Sequence, residues 1–231
     1  MSAEEAAGWL AEAWETGHPM APFPPGLAPA DRAAGEAIAA ALVARLGIAV
    51  CGVRLAPGPG GVLISAPLLE PRMRRAGAAV TLAALRHATL SAGVLGVLAE
   101  PLGDGPPVFA SLHPAIDVAA WRFAQVPDEV GAMVADLGGL GQVLVGKRAA
   151  GPLPAQAEAR IGLGGTRPRP IQERLGALMD EAAAEARRWG GLPAGAALLV
   201  AGLGGTVPAV AGQRYAAAVA GVGRINVTLE A

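Results

Sequence analysis

The sequence predicts an α+β fold with a mixed β core, and three observations predict it. Two helical patterns with clear start and stop signals occupy residues 1–47. Beyond Gly47 the texture changes to short apolar runs broken by Gly and Pro, of which the chain holds 33 and 20. One long amphipathic stretch comes late and is followed by more short runs up to the C-terminus.

The first helix is predicted over 2–16. Ser2 is a candidate N-cap with Glu5 three residues on, Trp9, Leu10 and Ala13 share one face, and Gly17 is the stop. The stretch 18–29 is Pro-rich and extended. Asp31 is placed to cap a second helix through Leu46, with Ile38, Leu42 and Leu46 at core spacing and Gly47 ending it. Strand-like or buried runs follow at 48–55, 62–66, 79–85, 92–99 and 115–123. A short helix is expected within 127–137, because Pro127 suits a first turn and Asp128 and Glu129 suit the N-terminal dipole. Segments 141–146 and 158–162 look like a strand pair across a Gly/Pro loop. Segment 171–189 is the amphipathic helix, with Leu175, Leu178 and Met179 on one side and Glu173, Arg174, Arg187 and Arg188 on the other. No repeat of fixed period interrupts this order.

Composition narrows the partners. The formal net charge is -1, which favours neither nucleic acid nor an anionic membrane. The single cysteine, Cys51, excludes an intrachain disulfide and suits a reducing compartment. In an apolar strand it reads as a buried thiol before it reads as a nucleophile. The opening MSAEEAAGWL is acidic where a secretory signal is basic, and no uninterrupted apolar run of membrane-spanning length occurs, so a cytoplasmic protein is expected.

The C-terminal segment 191–231, GLPAGAALLVAGLGGTVPAVAGQRYAAAVAGVGRINVTLEA, consists of short apolar strands with a bend opening each. It resembles the end of the 2-keto-4-pentenoate hydratase group of the fumarylacetoacetate hydrolase family. Further pieces occur in the family's order. WETGHPM (14–20) is similar to "R-x-T-G-x-P-I", and 27–38 to "L-T-x-x-D-A-Y-x-I-Q", with Ala39 at the family Gln. Gly52, Val53, Arg54, Leu55 and Ala56 stand in the slot of "G-W-K-I-G", with Arg54 for Lys. PAIDVAAWRF (114–123) resembles "P-A-L-E-I-V-x-S-R-I", and 135–146 resembles "D-N-x-S-x-x-x-x-V-L-G". The resemblance covers most of the chain. It implies a mixed β-roll over 48–231, with 1–47 as an N-terminal helical segment and the two together as one compact unit.

What the resemblance implies about chemistry is divalent-metal-dependent action on small 2-keto acids. The family's cation is held by three carboxylates, two in "E-x-E-I-A-F-V-L" and one in "P-A-L-E-I". Hard cations such as Mg²⁺ or Mn²⁺ need such oxygen ligands. Here the first two positions fall at Ser91 and Gly93, and the third survives as Asp117, one methylene shorter. One carboxylate and a hydroxyl make a poor Mg²⁺ site, so no cofactor is expected, and Mg²⁺ or Mn²⁺ enters only under a shifted ligand alignment.

The remaining candidates carry two readings each. Arg54 could hold a substrate carboxylate bidentately, or make a salt bridge at the core's edge. His113, four residues before Asp117, is a general acid/base candidate or a loop histidine beside a strand. Arg122 could replace the cation as partner of Asp117, which at i, i+5 needs a bulge. Asp136 is a substrate-binding candidate or a buried polar anchor. His18 and His87 read as surface or packing residues. The two GLGGT turns, at 162–166 and 202–206, lack the phosphate-loop ending. Catalysis would thus fall to Arg54, His113 and Asp117, and substrate binding to Arg54, Arg122 and Asp136.

Three functions fit these residues: a hydratase- or lyase-like enzyme acting on a small 2-keto or enol carboxylic acid without the metal; a non-catalytic binding or assembly subunit that keeps the fold; and a metal-dependent 2-hydroxydienoate hydratase or decarboxylase with shifted ligands. The expected partners are a small carboxylic acid, further copies of the chain in a homo-oligomer, and for the second function another protein.

Overall fold

The computed structural model describes residues 2–231. Two curled sheets and four helices form a mixed α+β fold. The helices are α1 (Ala3–Thr16), α2 (Arg32–Leu46), α3 (Val130–Ala135) and α4 (Leu175–Arg188). The strands are β1 (Val50–Pro57), β2 (Leu63–Leu69), β3 (Met73–Arg75), β4 (Val80–Thr81), β5 (Thr89–Leu98), β6 (Phe109–Ala119), β7 (Leu140–Val145), β8 (Ala157–Leu163), β9 (Ile171–Glu173), β10 (Ala197–Pro208), β11 (Arg214–Val219) and β12 (Gly223–Glu230). The larger sheet has the order β2-β1-β10-β5-β6-β7-β3 and the smaller β4-β12-β11-β8-β9.

The larger sheet is buried on both faces, which is why β5 reads as a nearly continuous apolar run. One face packs on the smaller sheet and α4 through Val53, Leu55, Leu90, Val94, Ile161, Met179 and Ile225. The other packs on the N-terminal helices through Leu10, Leu42, Ala56, Ala66, Leu95, Ala115 and Val143. Among the described residues, no helix is long and apolar enough to cross a membrane.

Helix α2 forms as its sequence dictates: the Asp31 side chain accepts from the Ala34 N–H at 2.8 Å, and Gly47 closes the helix in the left-handed conformation. Four local expectations differ from the structure. Segment 79–85 is not a strand-like or buried run: only Val80–Thr81 is strand, and the rest is loop and turn, mostly exposed. Trp9 is 48% exposed while Leu10 is fully buried, so the packed face of α1 runs through Ala6, Leu10 and Ala13. Segment 171–189 does not begin as helix, because Ile171–Glu173 pairs antiparallel with β8 and the helix starts at Leu175. Segments 141–146 and 158–162 are strands but not partners: β7 pairs with β6 and β3, whereas β8 pairs with β11 and β9 in the other sheet.

Candidate functional site

Along β1, β5 and β6, side chains alternate between the two faces of the larger sheet. Arg54 shares its face with Ala56, Ser91 and Gly93 share theirs with Leu95, and Asp117 shares its with Ala115. All four therefore face the helical layer. Ser91 lies directly across from Asp117, and Gly93 across from Ala115.

Arg54 and Asp117 bond each other. The Arg54 Nε donates to Oδ1 at 2.8 Å and Nη2 to Oδ2 at 2.6 Å, and both side chains are 2% exposed. This is the fork-on-fork geometry in which a guanidinium and a carboxylate satisfy one another best. The third donor, Nη1, reaches the Gly138 carbonyl at 2.8 Å. That carbonyl is aimed by an unusual backbone: Leu137, Gly138 and Gly139 are all left-handed, with φ of 51°, 60° and 67°. Leu137 is a fully buried non-glycine residue in that region, a strain of roughly 1 kcal/mol or more that the surrounding packing must hold.

The three positions that the resemblance assigns to metal ligands do not fit a divalent cation. Both oxygens of Asp117 are engaged by a permanent positive charge. The Ser91 hydroxyl accepts from the Gly202 N–H at 2.9 Å and so pins β10. Gly93 has no room for a side chain, since a Cβ there would lie 2.9 Å from the Val200 carbonyl oxygen. Among the described residues, no group of three or more His, Cys, Asp or Glu side chains is placed to hold a metal.

Arg122 does not pair with Asp117. Strand β6 ends at Ala119, and Arg122 turns toward the C-terminal end of α3. There its backbone N–H donates to Asp136 Oδ2 at 2.9 Å and its Nε to Oδ1 at 2.5 Å. Its two remaining nitrogens donate to the carbonyls of Leu140 and Asp136 at 2.6 and 2.7 Å. Asp136 is fully buried, and burial pushes its carboxyl up from the ordinary range against the opposing pull of Arg122. His113 stands four residues before Asp117 on β6, about 13 Å along the strand. Its Nδ1 donates to the Gly146 carbonyl and its Nε2 lies 3.0 Å from the Ser111 hydroxyl. The structure thus brings Arg54 to Asp117 and Arg122 to Asp136, and leaves His113 apart from both pairs.

A cleft of about 460 Å³ opens beside the Arg54–Asp117 pair, where β1, β5, β6 and the irregular part of β10 end together. Gly138 and Gly202 line it, and these are the two residues bonded to Arg54 and Ser91. Pro57, Thr89, Trp121 and Thr206 add to the wall, and no Arg, Lys, Asp or Glu does. His87, exposed as a surface or packing residue would be, also lines it. Its φ is 51°, and its Nε2 donates to the Ala124 carbonyl at 3.0 Å. A carbonyl only accepts, so Nε2 carries a proton. The sequence ALRHATL carries no signal of a place in the cleft wall.

No protein-family profile matches the chain, and no curated protein does. Solved structures do. A 4-oxalocrotonate decarboxylase from Pseudomonas putida G7, complexed with magnesium and adipate, is similar with a TM-score of 0.77 over 99% of this chain and 98% of that one, at 15% identity. A fumarylpyruvate hydrolase from Pseudomonas aeruginosa in complex with Mn²⁺ and pyruvate gives 0.57 over 77% and 88%, at 12% identity. A 2-hydroxyhepta-2,4-diene-1,7-dioate isomerase from Mycobacterium marinum gives 0.55 over 79% and 76%, also at 12% identity. The chain has the fold of these proteins, and at such identities the likeness extends to the fold alone.

Proposed function

We propose that this chain is a non-catalytic relative of the fumarylacetoacetate hydrolase-type enzymes, a binding protein that holds a small organic ligand in the 460 Å³ cleft. The observation that carries this reading is the buried Arg54–Asp117 pair. The cation-dependent chemistry of the neighbours' fold needs an open, anionic ligand set. Here the one remaining carboxylate is neutralised internally, and the cleft wall beside it holds no charged side chain other than a protonatable histidine. The cleft offers a ligand Thr89, Thr206, the glycine-rich wall and Trp121.

The test is turnover of 2-hydroxypenta-2,4-dienoate with Mg²⁺, with Mn²⁺ and with EDTA. No turnover is expected in any of the three, and no change in melting temperature between them. EDTA-sensitive turnover would sink the proposal and restore a metal-dependent hydratase. A second reading rests on His87, which lines the cleft: metal-independent proton transfer on a keto or enol acid. Turnover that survives EDTA and disappears in H87N supports that reading instead.

A further inference from the structure

Below the first helix a second, smaller cavity of about 40 Å³ is lined by Trp14, His18, Arg72, Arg86, Trp121 and Arg122, among smaller residues. We propose that it is a binding site for one small oxyanion, held by the guanidinium groups of Arg72 and Arg86. The proposal does not rest on the reading of the larger cleft.

Charge balance carries it. The Arg72 guanidinium lies 4.0 Å from the centroid of the Trp14 ring, and that of Arg122 lies 4.7 Å from the same ring. Two like charges therefore share one indole. Asp136 neutralises Arg122, but among the described residues neither Arg72 nor Arg86 takes part in an ion pair. No carboxylate lines the cavity, while His18 adds a third potential donor beside the two unpaired arginines. Arg72 is partly buried, and its pKa is pushed down to about 10, first by burial and then by repulsion from Arg122 and Arg74. A partly buried positive charge with like neighbours and no partner is costly. An anion in the cavity would relieve both the burial and the repulsion.

Size and shape agree. The volume corresponds to about three waters, the space of one carboxylate or phosphate group. The Arg72 guanidinium lies over the Trp14 ring, a contact that leaves its N–H groups able to bind an oxyanion bidentately. Trp121 lines both this cavity and the larger cleft. The oxyanion is thus either free phosphate or the acid end of an organic molecule, and two titrants separate them.

The experiment is calorimetric titration of the full chain at low ionic strength with inorganic phosphate and, separately, with pyruvate. The variants are R72Q, R86Q and, as a control on the exposed face of the smaller sheet, R224Q. Saturable binding of at least one anion is expected. It should weaken roughly tenfold in R72Q and in R86Q and stay unchanged in R224Q. Phosphate alone binding assigns a phosphate site; pyruvate binding as well assigns a general oxyanion site. Arg86 is exposed, so R86Q keeps the test decisive if R72Q fails to fold. The proposal is overturned by absence of saturable binding of either anion up to about 10 mM, or by R86Q binding as tightly as the wild-type chain.

Discussion

Arg54 is among the largest fully buried side chains in the protein, and a buried guanidinium is tolerable only while its donors are satisfied. Asp117 supplies two acceptors and the Gly138 carbonyl the third. Removing one partner therefore leaves an uncompensated charge, whereas removing both leaves a hole that apolar side chains can fill. D117A is expected to cost about 3–5 kcal/mol of unfolding free energy, and the double variant R54M/D117L to recover most of that loss. Urea denaturation of R54M, D117L and R54M/D117L measures the coupling. A double variant no more stable than D117A would mean that the pair is not the source of the cost. At this scale the sequence was legible in part. Arg54, Asp117, Arg122 and Asp136 were each singled out, but not who pairs with whom. Arg54 and Asp117 are 63 positions apart on strands separated in the sheet by β10 and β5, and no local pattern encodes that meeting.

Strand β10 sits between β1 and β5, and its register against β5 shifts twice, between Val200 and Leu203 and between Leu203 and Thr206. Side chains from its neighbours hold that irregular stretch: the Ser91 hydroxyl accepts from Gly202 N–H, and the Glu173 carboxylate accepts from Gly204 N–H, each at 2.9 Å. Gly93 permits the close approach of Val200 on the same strand. Restoring a glutamate at this position therefore has to displace β10 before it can offer an oxygen. G93E is expected to destabilise the fold by about 1–3 kcal/mol. S91E/G93E is expected to gain no Mg²⁺-dependent rise in melting temperature, because Arg54 still occupies Asp117. A clear Mg²⁺-dependent rise in the double variant would show that the two lost carboxylates were all that separated this site from a metal centre. Elements with strong end signals were legible: the Asp31 and Gly47 caps set α2 correctly. Elements defined by distant pairing were not. Ile171–Glu173 has a composition that suits a helix, yet β8 recruits it as a strand. The Gly/Pro segment between β7 and β8 reads the same whether it makes a hairpin or crosses from one sheet to the other.

On the scale of the molecule, the N-terminal helices are fastened to the β body in two ways. The first is apolar: Leu10, Ile38 and Leu42 share one core with Ala66, Leu68, Ala115 and Val143 of the larger sheet. The second is polar, at the β2 edge. The Ser65 hydroxyl accepts from Arg32 Nη2 at 2.9 Å and from Trp189 Nε1 at 3.3 Å, and donates to Glu185 at 2.5 Å. Glu185 also bonds Arg32 and Arg188, and Glu36 bonds the same two arginines. This network ties α2 to α4 around the sheet edge through a serine that is fully buried. A shared core and a shared polar clamp argue that segments 1–47 and 48–231 unfold as one cooperative unit. The expected result is a single thermal transition, coincident by far-UV and near-UV circular dichroism. A chain lacking residues 1–47 exposes the helix-facing side of the larger sheet and should not fold. E185A leaves Ser65 and Arg32 without their shared acceptor, and is expected to lower stability by about 1–3 kcal/mol while keeping one transition. If E185A instead splits the melt into two steps, the clamp rather than the apolar core is what makes the helical layer and the sheets melt together.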